Sequence, residues 1–236
     1  ESTCNLSNIK IRAESIVGRT NVEVTEPFWF RDEFNENSLG RYVKSSSGYT
    51  YNAGGYVSIT DGGVTFTAPP KMSEQVIEYK FIPQSNAAGN SQCNWIVAFC
   101  EAYPHNGRFY SGTRPDCYYA YLVGTTLTLY RVASSITSSL TSATVSALTL
   151  GTEYKVKVVI DESADVRIKI YLAESSAEYS STPTIQSADT SYTNGYTSFS
   201  SGTVGGDETG FEIRLTNVEI SGTRVYQKPI HRGAML

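Results

Sequence analysis

Apolar and polar residues alternate with period two along most of this chain, and that period predicts strands rather than helices. Residues 151–172 show it most plainly. Tyr154, Val156, Val158 and Ile160 share one face of a run, and Val166, Ile168, Ile170 and Leu172 repeat the pattern after the polar connection Asp161-Glu162-Ser163-Ala164-Asp165. The two runs predict an antiparallel hairpin with one buried aliphatic face. Its other face carries Lys155, Lys157, Arg167 and Lys169. These read as a solvated surface that discourages edge pairing, with a site for an anionic sugar or an acidic neighbour as the alternative.

Similar runs follow from Phe28 onward: FWFRDEF, GYVSI, VTFTA, VIEYKFI, CNWIVAFC, CYYAYLV, TLTLYRV and FEIRLTNVEI. Asp61-Gly62-Gly63, between GYVSI and VTFTA, is a hairpin signal. In the last run the apolar set shifts from Phe211, Ile213 and Leu215 to Val218 and Ile220, which predicts a bulge or turn at Thr216-Asn217. No segment keeps a helical period over three turns, and no repeat of roughly 20 to 50 residues is visible. The expectation is one all-β domain over residues 27–224, with an N-terminal arm (1–26) and a C-terminal tail (225–236).

Composition agrees. The chain holds 17 Tyr and 19 Gly but only 18% charged residues, a balance that suits strands and turns. A net charge of -4 argues against nucleic acid as a partner, since such binding rests on clustered Lys and Arg. No apolar run approaches the roughly 20 residues of a membrane helix, so no membrane insertion is expected. The sequence opens at Glu1 rather than Met and carries the sequon Asn5-Leu6-Ser7; both fit an exported, extracellular or surface-displayed protein. Residues 132–152 carry no charge, and residues 179–206 carry only Asp189. Such stretches suit low-polarity strands, glycosylated surface or subunit contacts.

The four cysteines are Cys4, Cys93, Cys100 and Cys117. If residues 93–100 form one strand, its ends lie roughly 23 Å apart at about 3.3 Å per residue, so Cys93 cannot bridge Cys100. Two pairings remain: Cys4 with Cys93 and Cys100 with Cys117, or the crossed set. The first is preferred, because Cys100 then faces Cys117 across a hairpin. That register places Trp95, Val97 and Phe99 with Tyr118, Ala120 and Leu122 on a core face, and Ile96 and Ala98 with Tyr119 and Tyr121 on the other. Tyr119 and Tyr121 are therefore candidates for stacking on sugars, or for covering the sheet or touching another subunit. A slip of one residue would reverse every assignment. The connecting loop adds Tyr103, His105, Asn106, Arg108, Tyr110 and Arg114, which suit the rim of a glycan site or a protein contact.

The order of these segments resembles a known family. Phe30-Arg31-Asp32-Glu33-Phe34-Asn35, Gly55-Tyr56-Val57 and Asp61-Gly62-Gly63-Val64-Thr65-Phe66 resemble the opening of concanavalin A-like jelly-roll domains, the laminin-G-like and family-16 glycosidase-like sandwiches. Residues 95–99, 118–122, 127–130, 151–172, 201–205 and 211–220 continue the likeness, which spans roughly residues 28–222. The resemblance implies two curved antiparallel sheets packed face to face. It also implies a concave outer face that binds carbohydrate in many relatives, often with calcium nearby. Candidate calcium positions here are Asp32 with Asp61, or Asp207, although no D-x-D-x-D-G loop is present.

Catalysis finds less support. Glycosidase relatives carry an alternating E-x-D-x-E strand, and retaining hydrolysis needs two carboxyl groups about 5 Å apart. Here the acidic clusters Asp32-Glu33-Glu36, Asp161-Glu162-Asp165 and Asp207-Glu208-Glu212 lie beside turns, and Glu78 reads as an isolated, exposed strand acid. No G-x-S-x-G elbow exists, and with no CxxC pair and His105 far from His231 a zinc site is not expected. The function expected is a non-catalytic, lectin-like module that binds carbohydrate through an aromatic sheet face and its loop. The rival is a structural protein of a virion, pilus or cell coat that forms a homo-oligomeric assembly, and a polysaccharide-acting hydrolase is third.

Overall fold

The alternating runs become sixteen strands, numbered here in chain order, with a 3₁₀ turn at Leu39–Arg41 and no α-helix among the described residues. The computed structural model describes residues 10–11, 21–44, 49–60, 63–66, 72–84, 94–103, 115–201 and 212–229. One sheet has nine strands. Its main path runs β1 (Lys10–Ile11), β2 (Asn21–Asp32), β16 (Glu212–Pro229), β7 (Met72–Gln84), β12 (Tyr154–Ile160), β13 (Ile168–Glu174) and β14 (Ile185–Ser187). β5 (Tyr56–Thr60) joins β16 and carries β4 (Tyr49–Asn52). The seven-stranded sheet runs β11 (Ile136–Thr144), β10 (Thr126–Ala133), β9 (Cys117–Val123), β8 (Asn94–Glu101), β15 (Tyr196–Ser201), β6 (Gly63–Phe66) and β3 (Tyr42–Lys44).

One core lies between the two sheets. Ile77, Phe81, Val158 and Ile220 enter it from the nine-stranded sheet, and Val97, Phe99, Leu122 and Leu129 from the other, all without exposure. Burying each such side chain is worth roughly 1.5–3 kcal/mol. Tyr79 meets Phe199 across the layers with ring centroids 4.9 Å apart at 64°. The 151–172 hairpin forms as expected, with Ile160 opposite Ile168 and Val158 opposite Ile170. The predicted bulge is also present: the β16 register against β7 shifts between Leu215 and Asn217, which keeps Leu215 and Val218 both buried.

The β8–β9 register matches the expected one, with Val97 opposite Ala120 and Phe99 opposite Tyr118. The expected Cys100–Cys117 disulfide is nevertheless not formed. Cys100 adopts φ 54°, beside the shift in the β8–β15 register between Tyr196 and Ser198. This left-handed residue breaks the alternation and sends its side chain into the main core, while Cys117 packs on the outer side with Ala98 and Tyr119. Opposed positions thus become thiols on opposite faces. Burial pushes the Cys100 thiol up, helped by nearby Glu162 and Glu101, which leaves it neutral and unreactive. Cys4 and Cys93 lie outside the described residues. Gly195 sits against the bulge with φ 152°; a Cβ there would lie 2.4 Å from the Cys100 carbonyl carbon and the Glu101 oxygen.

One further expectation changes. β5 and β6 do not form a hairpin: β5 pairs β16 and β6 pairs β15 and β3. Val57 and Ile59 bury opposite Leu215 and Ile213, so the Asp61-Gly62-Gly63 segment joins the layers rather than two neighbouring strands. The N-terminal arm pairs within its own chain over residues 21–26, since β2 runs antiparallel to β16 from Asp32–Val218 out to Asn21–Pro229.

Asp189, the one charged residue of the charge-poor 179–206 sequence, ties its own segment to β9 and β10. Asp189 accepts hydrogen bonds from the Tyr118 hydroxyl at 2.5 Å and from Arg131 at 2.9 Å, and the Tyr192 N–H donates to the Tyr118 hydroxyl at 3.0 Å. Burial opposes ionisation of Asp189, but the bonds from Tyr118 and Ser191 and the charge of Arg131 outweigh it and hold the carboxyl below its usual range.

Candidate functional site

The outer face of the seven-stranded sheet is the one that sequence reasoning favours. Tyr119 and Tyr121 do lie on it: Tyr119 stands opposite Tyr130, with the rings stacked at 4.8 Å and 17°, and Tyr121 stands opposite Thr128. Ser198 and Ser200 of β15 belong to the same rows, opposite Ala98 and Ile96. Yet Tyr119 is 1% exposed and Tyr121 8%, so their rings are cover for the sheet rather than platforms open to a sugar. Buried Glu101 accepts a hydrogen bond from Ser198 nearby. The adjoining loop is clamped at its foot, where the Ala102 N–H donates to the Asp116 carbonyl at 3.0 Å and the Asp116 carboxylate takes the Ser134 N–H at 2.7 Å. Tyr103 is exposed at that foot. His105, Asn106, Arg108, Tyr110 and Arg114 lie outside the described residues.

The outer face of the nine-stranded sheet is open. Period two puts Phe30, Ile77, Tyr79, Val156, Val158, Val218 and Ile220 into the core, so the residues between them point outward. Register then aligns Arg31, Glu219, Glu78, Lys157 and Tyr171 in one row across β2, β16, β7, β12 and β13. The next row holds Asn217, Lys80 and Lys155. Two like-charge pairs therefore stand directly opposed, Glu78 with Glu219 and Lys80 with Lys155, an arrangement that destabilises a sheet.

Each member of these pairs has a partner. Lys157 reaches Glu78 at 3.0 Å and Lys80 reaches Glu153 at 3.5 Å. The Trp29 indole N–H donates to Glu219 at 2.9 Å, and Lys155 lies 4.7 Å from the centre of the Tyr179 ring. Glu153 also accepts the Thr216 hydroxyl at 2.8 Å. Burial works against its ionisation, but bonds from Ser175 and Thr216 and the Lys80 charge hold it below the usual carboxylate range. Tyr179 is pushed up by burial and by Glu78 and stays a neutral hydroxyl. Lys155 and Lys157, two of the four basic residues on that side of the 151–172 hairpin, are thus engaged within the chain.

Glu78, Lys80, Glu153, Lys155 and Glu219 line a groove of about 550 Å³, with Tyr179 as one wall and Arg31, Glu33 and Asn35 at the other end. Trp29 stands beside it, 61% exposed and fixed through Glu219. The arrangement offers an aromatic plate next to carboxylate acceptors and ammonium donors. Local rules broken without a packing gain are a mark of functional surfaces.

Sequence reasoning missed this site for a definite reason. Glu78 reads as isolated until β16 brings Glu219 opposite it from the far end of the chain. Trp29 was more accessible, because in FWF the buried Phe30 sends its neighbour outward. Of the calcium candidates, Asp32 is committed to the Phe34 N–H at 2.9 Å and the Tyr42 hydroxyl at 3.0 Å; Asp61 and Asp207 lie outside the described residues. No group of three His, Cys, Asp or Glu able to hold a metal ion, and no helix long and apolar enough to cross a membrane, occurs among the described residues.

No protein-family model matches the chain, and no curated protein sequence does. Solved structures do. The seed lectin of Lotus tetragonolobus superposes with TM-score 0.63 at 8% identity, covering 85% of this chain and 100% of that one. Basic winged bean lectin with Tn-antigen gives 0.60 at 10% identity, covering 85% and 99%. The exoplasmic/lumenal domain of VIP36 in its Ca2+/Man3GlcNAc-bound form gives 0.56 at 8% identity, covering 87% and 86%. At such identities the likeness carries architecture and not chemistry. In architecture, then, the chain is a lectin-like jelly-roll β-sandwich of two antiparallel sheets.

Proposed function

We propose that this protein is a non-catalytic carbohydrate-binding module, displayed outside the cell or on a surface, whose sugar site is the groove on the outer face of the nine-stranded sheet. The observation that carries this reading is the groove beside exposed Trp29, with its paired carboxylates and paired ammonium groups. Neighbouring strands are spaced by roughly 4.8 Å and same-face residues along a strand by about 6.7 Å, so the two charged rows offer acceptors and donors over the footprint of one sugar ring. An aromatic ring supplies the apolar contact such a ligand needs. The lectin-like architecture supports the reading, since solved relatives hold Tn-antigen and Man3GlcNAc. Glu78 and Glu219 already accept bonds from Lys157 and Trp29, and their role is to present oxygen lone pairs.

Affinity electrophoresis through gels containing soluble polysaccharides tests it. The protein is expected to be retarded by at least one, and Trp29→Ala to weaken that retention by about 30-fold, the equivalent of a 2 kcal/mol anchor. Retention unchanged in Trp29→Ala and Tyr179→Ala, both folded, would overturn the groove as the site. EDTA is expected to leave retention intact, because the groove uses amine, carboxylate and aromatic groups.

The 101–116 loop is a second contact in this reading, with Tyr103, 45% exposed at the clamped foot, as its anchor and His105, Asn106, Arg108, Tyr110 and Arg114 as its polar rim. Tyr103→Ala tests it separately. One observation favours assembly as a further reading: Ile136 is 70% exposed on β11, the edge strand of its sheet, which carries no charged side chain. Light scattering of the wild type against Ile136→Lys decides it.

A further inference from the structure

We infer that the groove selects uncharged sugars over anionic ones, and that Glu78 and Glu219 set this selection. The inference rests on the proposed carbohydrate site and adds the class of sugar that it accepts. Its ground is the way the charges are locked. Arg31, Lys80 and Lys155 line the groove with Glu33, Glu78, Glu153 and Glu219, and Lys157, bonded to Glu78, brings the two signs level. A net-neutral wall could still take an anion if one cation were available, but these cations are engaged: Arg31 with Glu33, Lys80 with Glu153, Lys157 with Glu78 and Lys155 with the Tyr179 ring.

The row is ordered as Arg31, Glu219, Glu78, Lys157, which places two carboxylates at its centre and the cations at its ends. A uronate, sulfate or phosphate at the centre meets like charge in a partly desolvated site, where such juxtaposition is strongly unfavourable. A hydroxyl meets none. It donates to the central carboxylates and accepts from Lys80 or Lys155 in the next row, and no ion pair has to break. Neutral recognition of this kind is also insensitive to salt, whereas an anion held by freed lysines would be lost as ionic strength rises.

Matched polymers that differ only in charge give the test: dextran against dextran sulfate, hydroxyethyl cellulose against carboxymethyl cellulose, and methyl-esterified against free polygalacturonate. The wild type is expected to hold a neutral member at least about tenfold more tightly than its anionic partner, with little change in affinity between low and high sodium chloride. Glu78→Gln with Glu219→Gln removes both central carboxylates and releases Lys157 from its ion pair. That double variant is expected to gain at least about tenfold for the anionic member, and the gain is expected to vanish in high salt. A wild type that prefers the anionic member, or a folded double variant whose preference is unchanged, overturns the selection while leaving the carbohydrate site standing. No retention of wild type or variant on any polymer overturns the site itself, and the selection with it.

Discussion

The two outer faces of this sandwich are built from the same alternation and end in opposite states. On the seven-stranded sheet the outward residues are rings and hydroxyls, Tyr119 on Tyr130, Tyr121, Thr128, Ser198 and Ser200, and they are largely shut away from water. On the nine-stranded sheet they are Arg31, Glu78, Lys80, Lys155 and Glu219, which line an open groove, with Lys157 bonded to Glu78 beside it. The first face gains its energy from burial. The second gains little, because exposed ion pairs are worth about 0–1 kcal/mol each, and its polar groups, though paired with one another, stay open to solvent. Aromatic content alone therefore does not show which face is open, since alternation places a ring without saying whether it is covered.

Substitutions can break this contrast or sharpen it. Tyr119→Ala removes a buried, stacked ring and is expected to cost about 3–5 kcal/mol in denaturant unfolding. Tyr179→Ala is expected to cost less than about 1 kcal/mol yet to abolish sugar retention. Reversed results would exchange the roles of the two faces. Gly195→Ala drives a Cβ into the Cys100–Glu101 peptide and is expected to lose roughly 3 kcal/mol, seen as a lower midpoint with unchanged slope.

Asp189→Ala removes the acceptor of the Tyr118 hydroxyl and the ion-pair partner of Arg131 and is expected to cost about 2 kcal/mol. It is also expected to change the pH profile of thermal unfolding. The folded Asp189 carboxyl is depressed, so its stability is present above the unfolded value of about 3.9 and is lost as pH falls through the folded value. Tyr118 is raised, by burial and by its bond to Asp189; its contribution is complete below about 10 and is lost as pH rises through the folded value. The variant should lose the part of the acid slope that Asp189 supplies and some of the alkaline one. Lys157→Ala, in a pair whose two members are both partly exposed, is expected to cost about 0.5 kcal/mol.

Most of the fold was legible in the sequence because it rests on period two. The 151–172 hairpin, the phase change at Thr216-Asn217 and the β8–β9 register all follow from side chains alternating between core and exterior. What escaped depends on backbone geometry or on distant pairing. The left-handed Cys100 reverses one side chain and with it the disulfide expectation. Whether Asp61-Gly62-Gly63 closes a hairpin or joins two layers depends on β16, whose sequence lies far downstream. The groove combines β2, β7, β12 and β16, so no short window contains it. Tyr119 and Tyr121 fell on the expected face, but alternation assigns a face without saying whether that face is covered.

The pairing of Asn21 with Pro229 at the outer end of the β2–β16 ladder has a mechanical consequence. Tension applied between those two residues loads the ladder as a zipper, so its rungs open in succession from that end instead of resisting together in shear. The peel travels toward Trp29 on one strand and Glu219 on the other. A pull of that kind would dismantle the groove early, while the seven-stranded layer is still whole.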